Sequence, residues 1–348
     1  MKAVAVWCWI VAVGASYGDA QVLLSRRDYT DHGRTFSQIW MADAGSVNFR
    51  QLTHSAREHS APVCSRDGKL IYFVSDRDAE RSRNAYGGPP EREIWAYDRP
   101  SGQERLVWRT ARDFGLDLRG TTADKALLLL DGNELRRLGS RGWMINNVDD
   151  AVVSPDGRRV ALVIAESYDE GGQSQNAKLF VADTATGQQR TEFGKYEVPT
   201  WSPDGARIAV FSGGGLAILD VVGAREMVRV PLPKHDAPAQ NIVWSPDGES
   251  LLVGLYGENG GAGDPRNDYF LLDSATRMWT PTLTARRLLW LRDKTILYLR
   301  PYGLTPLSPG SAHRVWTSQV AVYDVASRKD MALTSGLVLN DFLATCRR

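Results

Sequence analysis

The string Ser-Pro-Asp-Gly recurs at 154–157, 202–205 and 245–248, and a relative, Ser-Arg-Asp-Gly, stands at 65–68. Each copy leads into a short apolar run: KLIYFVS, RRVALVIAE, ARIAVFSG and ESLLVGLY. Two degenerate copies share the layout, ADKALLLLDG from Ala123 and RDKTILYLR from Arg292. The turn aspartates are Asp67, Asp124, Asp156, Asp204, Asp247 and Asp293, separated by 57, 32, 48, 43 and 46 residues. A period of this size marks the four-stranded blade of a β-propeller, in which each repeat buries its apolar faces only against its neighbours.

The local chemistry of one repeat is consistent with that reading. Apolar residues before the motif, such as Val243 and Trp244, form an innermost strand A. Pro-Asp-Gly then turns the chain, because Pro fixes φ, Asp bonds its own backbone and Gly accepts a positive φ. Strand B follows, then a strand C ending near Asp: IWAYD, LFVADT, LAILDV, YFLLDS and VAVYDV. A second turn leads to strand D. Helical periodicity is absent, so the expected class is all-β.

The chain ends complete the count. Residues 22–26, 38–43 and 48–53 read as strands B, C and D with no A before them, while 337–345 reads as an A strand with no B after it. Joined, they make one split blade (21–53 plus 336–346), which closes the ring and removes the open edges that invite aggregation. Six internal motifs and this blade predict a single seven-bladed propeller over 21–348, with about 47 residues per blade. Six blades would result if the short repeat around Ala123 were not a blade.

Residues 1–20 stand apart. Lys2, an apolar run over 3–13 and the small residues Gly18 and Ala20 have the layout of a secretory signal peptide cleaved after Ala20. The apolar run falls short of the ~20 residues that span a bilayer, and no later stretch is longer. The expected location is therefore periplasmic or secreted. The formal charge of +1, from 42 basic and 41 acidic residues, gives no support to a nucleic-acid partner. After cleavage two cysteines remain. Cys64 takes the place held by Trp201 and Trp244 in other repeats, and Cys346 ends the closing strand of the adjacent blade, so a disulfide between them is an expectation.

IWMADAGSVNFRQLT (39–53) followed by SRDGKLIYFVSDRD (65–78) resembles the WD-like repeat of TolB-type propellers, and the likeness extends over nearly all of the chain after the leader. The resemblance implies the fold; the same blades serve binding proteins and enzymes alike. The sequence departs from TolB in lacking its N-terminal α/β domain. After the leader it also has no G-x-S-x-G of the kind expected from the hydrolase domain beside prolyl-oligopeptidase propellers.

Strand order places the B–C and D–A connections on one face, and the B–C set is long in several blades. Long loops on a rigid scaffold are where binding concentrates. Tyr29, Tyr86, Tyr168, Tyr256 and Tyr302 lie in or beside these loops and are candidate partner contacts. Seven positions before each turn aspartate, where strand A begins, stand Ser60, Asp117, Asp149, Glu197, Gln240 and Arg286, with Asp150, Asn241 and Arg287 one step further in. These polar residues are expected to ring a channel mouth, which Asn340 or Asp341 could complete. Asp149, Glu197 and Asp117 could hold a Ca²⁺-like cation or grip a basic peptide, or simply line a wet channel. His54, His59 and His235 lie in D–A connections and could be ligands, bases or structural histidines.

The leading expectation is an exported, non-catalytic, monomeric propeller without cofactor that binds an envelope or secreted protein or peptide through the B–C/D–A face. The rivals are a propeller hydrolase or lyase acting on a sugar or lactone through a channel-mouth metal, and a scaffold that holds a larger assembly together.

Overall fold

The computed structural model describes residues 20–347 except 31–32, 35, 44–47, 77–91, 111–115, 140, 171, 189, 235–238, 257–265, 293, 307–313 and 335–337. Every regular element among the described residues is a strand, and the strands form seven blades around a central axis. Blade one is His59–Cys64, Leu70–Asp76, Arg92–Asp98 and Glu104–Arg109, each antiparallel to the next. Blades two to five repeat this order, their A strands being Leu116–Thr121, Val148–Val153, Glu197–Trp201 and Ala239–Trp244. The short repeat around Ala123 is a full blade, with a strand D of only three residues, Trp143–Ile145.

Blades six and seven share one nine-stranded sheet. Blade six begins at Leu288–Arg292 and carries the longest hairpin, Thr295–Pro306 with Arg314–Asp324. Blade seven is the split blade. Its strand A is Val338–Arg347, paired along its length with Ala20–Thr30, which in turn pairs with Gln38–Asp43. Ser318 of blade six pairs with Val338, which welds the two blades together. The innermost strands touch their neighbours all the way round, so the ring is closed.

The Ser-x-Asp-Gly turns perform the geometry their composition dictates. Ser154 Oγ donates to Asp156, the Gly157 amide donates to the Ser154 carbonyl at 2.8 Å, and Gly157 has φ 73°. The turn is also an inter-blade contact, since a Cβ on Gly157 would lie 2.6 Å from the Ala123 amide nitrogen of blade two. Any larger residue there meets backbone and a left-handed φ together.

Apolar clusters fill the wedges between blades, and tryptophans rivet them. Trp201 Nε1 donates to the Val152 carbonyl at 2.8 Å, Trp244 Nε1 to Thr200 at 3.1 Å and Trp290 Nε1 to Val243 at 3.4 Å, each bridging to the preceding blade. Arg159 lies over Trp201 and Arg207 over Trp244, and both guanidiniums reach a turn carbonyl of the next blade, Gly205 and Gly248. Between blades seven and one, the tryptophan position is Cys64. In the structure it is joined to Cys346, with Cα atoms 5.3 Å apart and 282 residues of separation.

Two stability outcomes follow from this packing. Trp244→Ala empties a buried site and removes a rivet, so denaturant unfolding should show a loss of about 3–5 kcal/mol, whereas Trp244→Phe should lose about 1 kcal/mol. A Cys346→Ser variant should lose roughly 2–5 kcal/mol and show a lower thermal midpoint that no longer responds to reductant. An unchanged midpoint would mean that the seam closes without the covalent bond.

Candidate functional site

The predicted mouth residues occupy one structural layer. Ser60, Asp117, Asp149 and Gln240 are each the second residue of their A strand, Glu197 is the first of its strand, and Arg286 precedes Leu288–Arg292 by two positions. At this layer the A–B ladder is broken. Register shifts fall between Ser60 and Val63, Val148 and Asp150, Glu197 and Thr200, and Ala239 and Asn241. Asp149 and Gln240 are themselves the extra residues. A bulge leaves one residue out of the ladder and re-aims its side chain, which suits a ring of polar groups at a channel. Ala61 and Val198, which follow Ser60 and Glu197, adopt φ 48° and 50°. For a β-branched valine that conformation is strained, and strain of this kind collects where geometry serves a purpose.

The acids of the mouth are engaged rather than gathered. Arg119, on the same strand as Asp117, pairs with it at 3.4 Å and with Asp150 of blade three at 2.7 Å. Asp150 also accepts the Ala151 amide, yet burial outweighs both contacts and lifts its carboxyl above the usual range. The Tyr168 hydroxyl donates to Asp149 Oδ1 at 2.7 Å. Burial and that carboxylate push the phenol up to about 12. Tyr168 sits on a small hairpin, Ser167–Tyr168 with Ser174–Gln175, in the B–C connection of blade three. The bond therefore ties a long loop to the channel mouth and places the two on one face. Asn241 donates to the buried Tyr269 hydroxyl at 2.8 Å, over Gly254, where a Cβ would lie 2.5 Å from Asn241 Oδ1.

Among the described residues no three His, Cys, Asp or Glu side chains are placed to hold a metal ion. Of the three acids named as cation candidates, Asp117 pairs with Arg119 and Asp149 accepts the Tyr168 hydroxyl. Glu197, Gln240 and Arg287 are exposed at the mouth, and Arg286 reaches Ser318 Oγ at 3.3 Å. Tyr256 is 40% exposed at the end of strand B in blade five. Tyr29 and Tyr302 lie on strands whose side chains fall outside the described residues there, as do Asn340 and Asp341; Tyr86, His235 and the Gly-rich 257–263 lie outside them altogether.

His54 is exposed, whereas His59 is buried and cannot serve as a surface ligand. Its Nε2 lies 2.6 Å from Ser55 Oγ, and burial next to Arg57 lowers its pKa to about 4. A buried ion-pair group missed by sequence reasoning lies close by in the chain. Glu93, only 1% exposed, binds Arg109 and Trp95 Nε1, each at 2.9 Å, and Arg57 at 3.4 Å. Nothing in its sequence position, ahead of IWAYD, sets it apart from a solvated carboxylate. A cleft of about 600 Å³ opens on the opposite, short-turn face, between Tyr72 and Trp108 of blade one and Asp124, Lys125 and Leu138 of blade two. Its charges are spent on protein: Lys125 pairs with Asp67 at 2.9 Å, and Arg137 with Asp124.

Solved structures share this arrangement of blades. TolB from Acinetobacter baumannii superposes with a TM-score of 0.55 at 12% identity, covering 96% of this chain and 68% of that one. The fold is that of the TolB-like propellers. The β-propeller domain of the Trilobed protease from Pyrococcus furiosus matches with a TM-score of 0.55 at 14% identity, covering 91% of this chain and 95% of that one. An oligogalacturonate lyase in complex with manganese matches with a TM-score of 0.53 at 15% identity, covering 89% and 84%. No protein-family model and no curated protein matches the sequence. The same fold thus occurs in a domain of a protease and in a lyase, and at these identities the likeness concerns fold alone.

His59 generates a pH signature. Its folded-state pKa lies below the ordinary imidazole value of 6.5, so the unfolded chain binds a proton that the folded one refuses between about pH 6.5 and 4. Stability from this residue is fully present above pH 6.5, falls as pH drops through that window and levels off below about 4. The loss is on the order of 3 kcal/mol. Urea unfolding at pH 7 and pH 4.5 should show a larger difference for the native protein than for His59→Gln; equal differences would place the titration elsewhere.

Proposed function

We propose that this protein is an exported, non-catalytic propeller that binds a protein or peptide segment at the B–C/D–A face, over the channel mouth. The observation that carries this reading is the Tyr168–Asp149 bond, which fastens a long loop to the innermost strand and makes loop and channel one surface. Around it the mouth presents both signs of charge and several amides: Asp117, Glu197, Gln240, Asn241 and Arg287. Such a surface recognises a chain by hydrogen bonds and charge matching, with Tyr256 as an aromatic contact. No helix among the described residues is long and apolar enough to cross a membrane. A leader over 1–20 would deliver the propeller to the envelope or beyond, where its partner would also reside.

Site-specific photocrosslinking in the producing cell tests the face. A crosslinking residue at Gln240 or Tyr256 should trap a protein adduct, and one at Lys125, on the short-turn face, should not. The charge reversal Glu197→Lys should then weaken the trapped partner's affinity by about tenfold. Adducts at Lys125 alone, or affinity indifferent to Glu197, would move the binding surface away from the mouth.

A further inference from the structure

The seam between blades seven and one differs in chemistry from the other blade interfaces. Its floor is apolar: Leu23, Ile39, Met41, Ile71 and Phe73 form one buried cluster with Cys346. Toward the B–C/D–A face the same strands turn polar. Alternation along a strand puts Ser25 on the side of Leu23, Ser37 on the side of Ile39, and Ser75 on the side of Phe73. Ser25 stands opposite Ile39 in register, and His59 stands opposite Ser75. The His59 ring meets the Phe73 ring edge-on with centroids 4.7 Å apart, and the His59 amide donates to the Ser37 carbonyl at 2.8 Å. The four side chains therefore share one end of one inter-blade wedge.

All four are sealed from solvent, with exposures of 0% for Ser25 and Ser75, 2% for His59 and 4% for Ser37. Ser25 Oγ, Ser37 Oγ, Ser75 Oγ and His59 Nδ1 each lack a hydrogen-bond partner among the described residues. Buried polar groups are almost always paired, and an isolated one is destabilising, so four in one wedge would weaken the fold unless something bridges them. The repeat itself shows that the fold does not require polarity here: in blade three the pair at this register position is Val148 opposite Ile164.

We propose that the blade seven–blade one seam is a built internal hydration site, in which bound water bridges the hydroxyls of Ser25, Ser37 and Ser75 to Nδ1 of His59. Water is the ligand this donor set fits. Three hydroxyls that can donate or accept share this end of the wedge with one imidazole nitrogen, and a buried water makes about three hydrogen bonds to groups of this kind. The imidazole is anchored from the outside by Ser55 at Nε2, which leaves Nδ1 for the water. Ser55 is itself held by Gln38, whose Nε2 donates to the Ser55 carbonyl at 3.0 Å. A hydrated bridge would thus connect strand B and strand C of the closing blade to strands A and B of the first blade, above the disulfide. This inference stands independently of the partner-binding reading.

The sign of a mutational effect separates a bridged hydroxyl from an orphan. Removing an orphan hydroxyl relieves a cost, so Ser25→Ala and Ser75→Ala would raise the thermal midpoint; removing a water-bridging hydroxyl strands the water and its other partners. The expected result is a fall of about 2–4 °C for each variant, measured on the oxidised full chain. The second measurement is a crystal structure of the native protein at about 1.5 Å resolution. Density for a water within about 2.6–3.2 Å of at least three of the four atoms supports the site. A dry wedge, hydroxyls turned onto main-chain carbonyls, or a midpoint that rises or stays level in the variants would each overturn it.

Discussion

Circular closure is the constraint on which everything else in this molecule depends. Six blades are contiguous in sequence and pair locally, and their neighbours arrive in sequence order. The seventh is assembled from both ends of the described chain, with Val338–Arg347 laid against Ala20–Thr30. That pairing is the longest-range contact in the fold and carries the highest loop-closure cost, so it is reinforced by more than hydrogen bonds. The Cys64–Cys346 bond spans the seam where other blades use a tryptophan, and Arg99, which also donates to the Gly68 carbonyl of its own blade, reaches across the seam to Gln21. The covalent link stands in place of a Trp rivet and ties two innermost strands that lie 282 residues apart in sequence.

The fold was legible because the turn motif is stiff and periodic. Pro-Asp-Gly locates the A–B turn to the residue, and counting back from it locates both the rivet position, three residues before the aspartate, and the channel layer, seven before. What could not be read were the outer strands. Strand D is short, exposed and weakly patterned, so the predicted 48–53 contracts to Arg50–Gln51 in the closing blade. The fusion of blades six and seven into one sheet was also illegible, because it arises from the length of a hairpin and a single bridge at Ser318 rather than from any motif.

The candidate site divides along the same line. Its ring of polar residues follows from register, and register is what a repeat encodes. Its electrostatics do not, since they depend on which charges meet across blades. Arg119 lies two residues beyond the mouth position and is unremarkable in the sequence, yet it turns two of the acids into an ion-paired group. By sequence Tyr168 is one of five candidate partner contacts in or beside the long loops, and the structure gives it a prior engagement with Asp149. A hydroxyl held by a carboxylate leaves the ring face as the surface on offer, so the loop presents itself already ordered. Ordering a loop before binding reduces the entropy lost on association.

The bulges supply the physical reason why polarity and rigidity coexist at the mouth. A regular strand A would alternate its side chains between the two flanking wedges, and any charged residue at this layer would be driven into an apolar interface. One extra residue per strand breaks the alternation at that point only, so Val148 and Ala151 stay buried in the core cluster between blades two and three while Asp149 and Asp150 sit at the mouth. The cost is local: an interrupted ladder in each affected blade and left-handed residues at Ala61 and Val198. The return is a ring of polar groups whose positions are set by the stiffest strands in the molecule, so that differences in recognition can come from the loops above without disturbing the packing below.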